Sequence, residues 1–192
     1  MVVADSTGWG DLLTIYNGDE IIYDEIGNPI FMGYYDPDYY SGAGYVFEWE
    51  GRQLVSMWYC YFSEYGEYYE SSDECIFTYN ADGIRTSKTA QGTTYEYILN
   101  GSQVIGQKWV RGEDVEHLML FVYDETGAPI GIKYRTSNYA ANVFDCYFFE
   151  KNLQGDVVAI YDSTGRKIGA YTYDAWGVCA PPEVASGVSA FE

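Results

Sequence analysis

The phrase "YDETGAP" at 123–129 recurs through the chain in altered form: "YDEIGNP" at 23–29, "YNADGIR" at 79–85, "YDSTGRK" at 161–167 and "YDAWGVC" at 173–179. Its invariant part is Asp or Asn followed three residues later by Gly. With 21 Asp plus Asn and 21 Gly among 192 residues, random placement would give that spacing about 2.3 times, so a larger count marks an internal repeat. The spacing occurs seven times: Asp5–Gly8, Asp24–Gly27, Asn80–Gly83, Asp124–Gly127, Asn152–Gly155, Asp162–Gly165 and Asp174–Gly177. In five of these a tyrosine comes immediately before: Tyr23, Tyr79, Tyr123, Tyr161 and Tyr173.

The phrase has a physical reading. A type I turn favours Asp or Asn at its first position, where the side chain caps the backbone, and Gly at its fourth. Gly is also the cheapest residue to hold a left-handed conformation directly after such a turn, which makes a bulged hairpin. An aliphatic residue follows three places after several of the glycines: Ile30, Ile130, Val158 and Ile168. The phrase therefore reads strand, turn, strand. Further hairpins are expected at Asn100-Gly101 and Glu50-Gly51, each between alternating or apolar runs. The stretch "EHLMLFVYD" (116–124) runs straight into a turn signal, which favours a buried strand over a short helix. No amphipathic helical pattern is evident. The expected fold class is all-β, built from stacked hairpins that cannot bury their faces alone and leave exposed sheet edges at the ends.

Composition supports β structure and removes some functions. Aromatic residues make up 19% of the chain, with 22 tyrosines, a residue suited to half-buried pleated surfaces. The formal net charge of −19 argues against DNA or RNA as a partner, because nucleic-acid binding needs a cationic surface. The N-terminus lacks the basic and apolar regions of a signal peptide, and no run approaches the length of a membrane span.

In these residues the chain resembles the Rhs (rearrangement hot spot) or YD-repeat family, met in bacterial polymorphic toxins and wall-associated proteins and, more distantly, in teneurins. The resemblance rests on six blocks in family order: "WGDLLTIYNGDEIIYDEIGNPI" (9–30), "FEWEGRQLVSM" (47–57), "YNADGIRTSKT" (79–89), "YILNGSQVIGQKW" (97–109), "YDETGAPIGIKY" (123–134) and "EKNLQGDVVAIYDSTGRKIGAYTYDAWG" (150–177). It implies a curved β ribbon spiralling into part of a hollow shell that encloses a variable C-terminal effector, often a toxin. Residues 1–177 would form the repeat domain and 178–192 a loop or disordered tail. The partners implied are neighbouring repeats and the C-terminal effector of a longer chain. A secreted or cell-surface location is implied as well. No cleavage aspartates and no toxin domain are assigned in this stretch, so a fragment is expected, and in isolation it is expected to self-associate.

Chemistry is sparse. His117 is the single histidine, and its entry into a β run suggests a partly buried structural role. Cys60, Cys75, Cys146 and Cys179 show no C-x-x-C spacing and suit neither a zinc site nor a disulfide scaffold, although one or two bridges, which sequence does not pair, stay open. Acidic clusters (Asp36 and Asp38; Glu64, Glu67, Glu70, Asp73 and Glu74) are expected in so acidic a chain and show no calcium-loop spacing. The expectation is a chain without catalysis, cofactor or metal. The alternative is a Tyr- and Trp-rich carbohydrate-binding module at the cell surface, with Trp58, Tyr59, Tyr68 and Tyr69 as its candidate residues.

Overall fold

A computed structural model describes residues 12–36, 38, 41–62, 68–70, 74–111, 114–140 and 142–185, with 68–70 described by their backbone alone. The structure is all-β: among the described residues every regular element is a strand, and every pairing of strands is antiparallel. No helix long and apolar enough to cross a membrane occurs among them. The chain divides into two compact units, Met1–Glu96 and Tyr97–Glu192.

The first unit is a meander. Its strands are β1 (Ile15–Tyr16), β2 (Asp19–Tyr23), β3 (Pro29–Asp36), β4 (Ser41–Glu50), β5 (Gln53–Phe62), β6 (Tyr68–Glu70), β7 (Cys75–Tyr79) and β8 (Arg85–Ala90), with the start of β9 (Thr93–Asn100). Each strand pairs with the next, except that β6 and β7 share one side of β5: Cys60–Phe62 pairs with β6, and Ser56–Met57 with β7. The second unit contains the end of β9, then β10 (Gln103–Arg111), β11 (Val115–Tyr123), β12 (Pro129–Thr136), β13 (Asp145–Lys151), β14 (Val157–Asp162), β15 (Lys167–Ala170) and β16 (Glu183–Val184). The run through 116–124, which could pass for a helix, is indeed strand β11.

Two-residue turns close four of the hairpins. Asn17-Gly18 and Gln91-Gly92 both have two consecutive positive φ angles (52° and 95°; 49° and 72°), the geometry of a type I′ turn. The hairpins anticipated at Glu50-Gly51 and Asn100-Gly101 exist, but each turn is centred one residue later. Glu50 pairs with Gln53, so Gly51 and Arg52 are the central residues; Asn100 ends β9, so Gly101 and Ser102 are. Only the glycine of each pair has positive φ, 61° in both, as a type II′ turn requires. Beyond Gly177, where a loop or disordered tail was expected, the described residues fold back on the sheet. Tyr173 bridges to Cys179, and β16 pairs with β15 through Gly169–Val184 and Ala170–Glu183. The pairing covers backbone groups that β15 would otherwise leave open. Residues 186–192 of that expected tail, and the Asp5–Gly8 repeat, lie outside the described residues.

Within each unit the described strands form one layer, so few side chains are enclosed. Buried apolar residues are Cys60, Phe77, Ile132, Ala159 and Ile168. Glycines let aromatic rings lie flat on the sheet. Gly33 and Gly44 pair directly across β3 and β4. A Cβ on Gly44 would come within 2.7 Å of the Phe31 ring, which packs 5.9 Å from Phe62. The ring takes the place of the missing side chains.

Candidate functional site: latched turns and a tyrosine face

The six described repeats of the phrase adopt one geometry. At Asp24, Asn80, Asp124, Asn152, Asp162 and Asp174, the backbone N–H of the Gly three residues on donates to the Asp or Asn carbonyl at 3.0–3.1 Å. The Asp or Asn N–H in turn donates to the carbonyl of the residue after the Gly at 2.9–3.0 Å. The side-chain Oδ1 accepts two further backbone N–H groups, two residues on at 2.8–3.1 Å and four residues on at 2.8–3.0 Å. One short polar side chain thus satisfies the donors that the turn leaves open. Gly27, Gly83, Gly127, Gly155, Gly165 and Gly177 have φ of 77–93°, a region that costs a side-chain-bearing residue strain. Thr126 and Thr164 add hydroxyl donors to Asp124 and Asp162 at 2.6 and 2.7 Å.

These bonds favour the ionised carboxylate. Asp124 and Asp162 are held below the usual carboxylate range, first by their threonine hydroxyls. At Asp24 partial desolvation pushes upward, but the bonds from Asn28, Ile26 and Gly27 outweigh it, and the net shift is downward. Neighbouring turns are also tied together. Asn28, buried, donates from Nδ2 to Asp24 Oδ2 and to the Gly51 carbonyl, both at 2.8 Å, and accepts from Arg52 at 3.2 Å.

The tyrosine of the phrase has a role that sequence reasoning did not reach. In β2, β7, β11 and β14 the register slips by one residue immediately before Tyr23, Tyr79, Tyr123 and Tyr161. The extra residue lies on the following strand, at Ile30, Thr86, Ile130 and Ile168, and the tyrosine sits opposite that bulge. From that position the hydroxyl reaches the preceding strand. Tyr23 donates to the Leu13 carbonyl (2.7 Å), Tyr79 to Leu54 (2.8 Å), Tyr123 to Val104 (2.5 Å) and Tyr173 to Val157 (3.0 Å). Each acceptor is the residue that the strand register, continued by two residue pairs, places opposite the residue before the tyrosine. Tyr161 instead donates to the Glu150 carboxylate at 2.6 Å. Asn152 follows Lys151 and has no such tyrosine. The device is a latch: each turn closes its own hairpin, and where the tyrosine is present it also ties the hairpin to the segment before.

The residues weighed for chemistry are scattered. His117 stacks on Trp109, its partner across β10 and β11, with ring centres 5.0 Å apart and planes 11° apart. Its Nδ1 lies 2.6 Å from the Tyr134 hydroxyl. Burial, then the nearby Arg111 charge, lowers its pKa below 6.5. All four cysteines are free thiols: Cys60 is buried, Cys75 and Cys146 are half-buried, and Cys179 is exposed. Asp36 accepts from Tyr34 and from the Asp38 backbone. Glu64, Glu67 and Asp73, and the side chain of Glu70, fall outside what the structure describes. Among the described residues no group of three His, Cys, Asp or Glu could hold a metal.

Of the sugar-binding candidates, Trp58 and Tyr59 are consecutive on β5 and so point to opposite faces. The side chains of Tyr68 and Tyr69 are outside the description. Tyr59 belongs to a cluster that only the register reveals. It pairs with Tyr45 across β4 and β5, and Ala43 pairs with both Tyr34 and Tyr61. The Tyr45–Tyr59 and Tyr59–Tyr61 centroids are 5.0 and 5.1 Å apart at 74° and 75°.

No family model matches the chain. It is similar to the tRNA3(Ser)-specific nuclease WapA of Bacillus spizizenii and to the tRNA nuclease WapA of Bacillus subtilis, at 27% identity over 167 residues in each case, 86% of this chain. It is also similar to the tRNA(Glu)-specific nuclease WapA of Bacillus subtilis subsp. natto, at 31% over 126 residues, 56% of the chain. The chain spans only 5–6% of the length of these relatives. Among solved structures, TcdB2-TccC3 without its hypervariable C-terminal region matches with a TM-score of 0.32 and 10% identity, over 86% of this chain and 14% of that one. The similarity to the WapA proteins supports the YD-repeat resemblance read from the sequence.

Two outcomes follow from this geometry. Tyr123→Phe keeps the ring and removes the latch, leaving the Val104 carbonyl without that donor; urea unfolding should show a loss of about 1 kcal/mol. Unchanged stability would mean that the hydroxyl bond contributes nothing. His117 is neutral in the fold with a lowered pKa, so the unfolded chain takes up its proton first. Stability is therefore complete above pH about 6.5 and falls as pH drops below it. Between pH 7 and 5, His117→Gln should flatten that slope, as read by thermal melts; an identical slope in both proteins would remove His117 as its source. The losses from Asp24, Asp124 and Asp162 lie lower, below pH about 4, where their carboxylates protonate.

Proposed function

We propose that these 192 residues are a stretch of a YD-repeat array in a longer Rhs-type protein, part of a wall around a C-terminal effector. In this reading the stretch performs no catalysis itself and works outside the cell or at its surface. The observation that carries it is the latch. A turn that, in five of the six described repeats, carries a tyrosine bonded beyond its own hairpin turn is suited to extension, repeat upon repeat, rather than to closing a small globule. The thin enclosed core agrees, because a one-layer sheet needs material against its faces. The similarity to nucleases many times longer than this chain is consistent with a role as a segment. An effector acting on tRNA, as the names of those relatives record for them, would carry the activity elsewhere in the protein, on a cationic surface able to grip phosphates.

The test is limited proteolysis of the longer gene product. The effector should resist protease while the repeats are intact and become cleavable when mild urea opens them. An effector digested as fast within the longer protein as alone would overturn the wall.

A further inference from the structure

Among the described residues, one face of the first unit exposes aromatic rings in a way untypical of a solvated sheet. Tyr34, Tyr45 and Tyr61 are 54%, 42% and 52% exposed, and they lie on the same side of β3, β4 and β5 as Tyr59 and Met32. The small Ala43 separates Tyr34 from Tyr61, so two exposed rings flank a low point. The face is also one-signed. On the tyrosine side, β2 to β5 carry two acidic residues, Asp19 and Asp36, and no Lys or Arg. Asp36 receives the Tyr34 hydroxyl bond at 2.8 Å, which holds its carboxylate beside the rings. Over residues 1–96 the sequence carries 17 acidic and 3 basic side chains, a formal charge of −14.

We propose that this tyrosine face docks a cationic polypeptide segment, supplied in the longer protein by a Lys- or Arg-rich stretch of the effector. The identity of that partner rests on the wall reading above. The attraction has two sources: carboxylates on strands that themselves carry no Lys or Arg, and aromatic faces that favour a positive charge held near them. Charge complementarity selects this occupant, since an effector that grips RNA must be basic. The ring geometry separates it from a sugar. Adjacent rings stand 74° and 75° apart, so they make no coplanar platform for a row of pyranoses, whereas a compact cation meets ring faces at any tilt. Met32, beside Tyr45 in the register, adds a flexible side chain that adapts to varied partners.

Calorimetric titration of the chain with a Lys-Ser repeat peptide tests the face, with a Glu-Ser repeat peptide and a neutral β-glucan as comparisons. Y34S/Y45S/Y61S removes three exposed rings without changing net charge and should weaken Lys-Ser binding about tenfold. Glu25→Gln with Asp82→Asn, two turn-tip charges away from the face, should leave affinity within about twofold. Tyr61→Ser alone, read for a smaller loss in the same direction, decides the matter if the triple variant loses its β circular dichroism. Equal losses in the ring and charge variants, no loss in the ring variants, or saturable binding of the glucan would overturn the assignment. A protected effector together with unaltered ring-variant affinity would sink the face alone and leave the wall standing.

Discussion

A single side-chain oxygen, held against two backbone N–H groups, sets the form of this protein. At each repeated turn Oδ1 of an Asp or Asn gathers the amides two and four residues on, and the Gly between them takes a left-handed conformation. A bulge follows on the next strand, and the tyrosine opposite it reaches the strand before. Local turn chemistry thereby becomes contact between strands. In a sheet with so few enclosed residues, hydrophobic burial within the layer is modest, and the margin of turns carries much of the order. Stability in such an array is a sum of nearest-neighbour terms.

The legible part of the fold was the part encoded locally. Asp or Asn with Gly three places later is a complete instruction, because donor, acceptor and conformation all lie within five residues; all six described turns take that form. Where the instruction is shorter the reading slipped. Gly51 and Gly101 each open their turn rather than follow an Asn within it, which moved both hairpins by one residue. The Asn17-Gly18 hairpin carried a clear signal that went unread. The tyrosine latch was beyond reach, since its acceptors are main-chain carbonyls 10 to 25 residues away with no side-chain identity to betray them. The tyrosine face was hidden for a related reason: Tyr34, Tyr45 and Tyr61 meet only through the register of three strands, and β16 is added by pairing that its own two residues do not announce.

The proposed function follows from what the array does with charge and shape. A wall gains from an acidic, Tyr-rich surface if what it holds is basic, and the acidity that argues against RNA as a direct partner of this stretch suits an effector that binds RNA itself. His117 is packed between Trp109 and Tyr134, and the four thiols share no common site.

Amide hydrogen exchange on the chain with Tyr79→Phe tests the central claim, that stability passes from each strand to its neighbour through the latched turns. Tyr79 pins β7 to Leu54 in β5. The account predicts faster exchange confined to β5, β7 and β8, with the second unit unchanged. Acceleration spread evenly over both units would mean that the chain is held by one global core, and no acceleration anywhere would mean that the latch holds nothing.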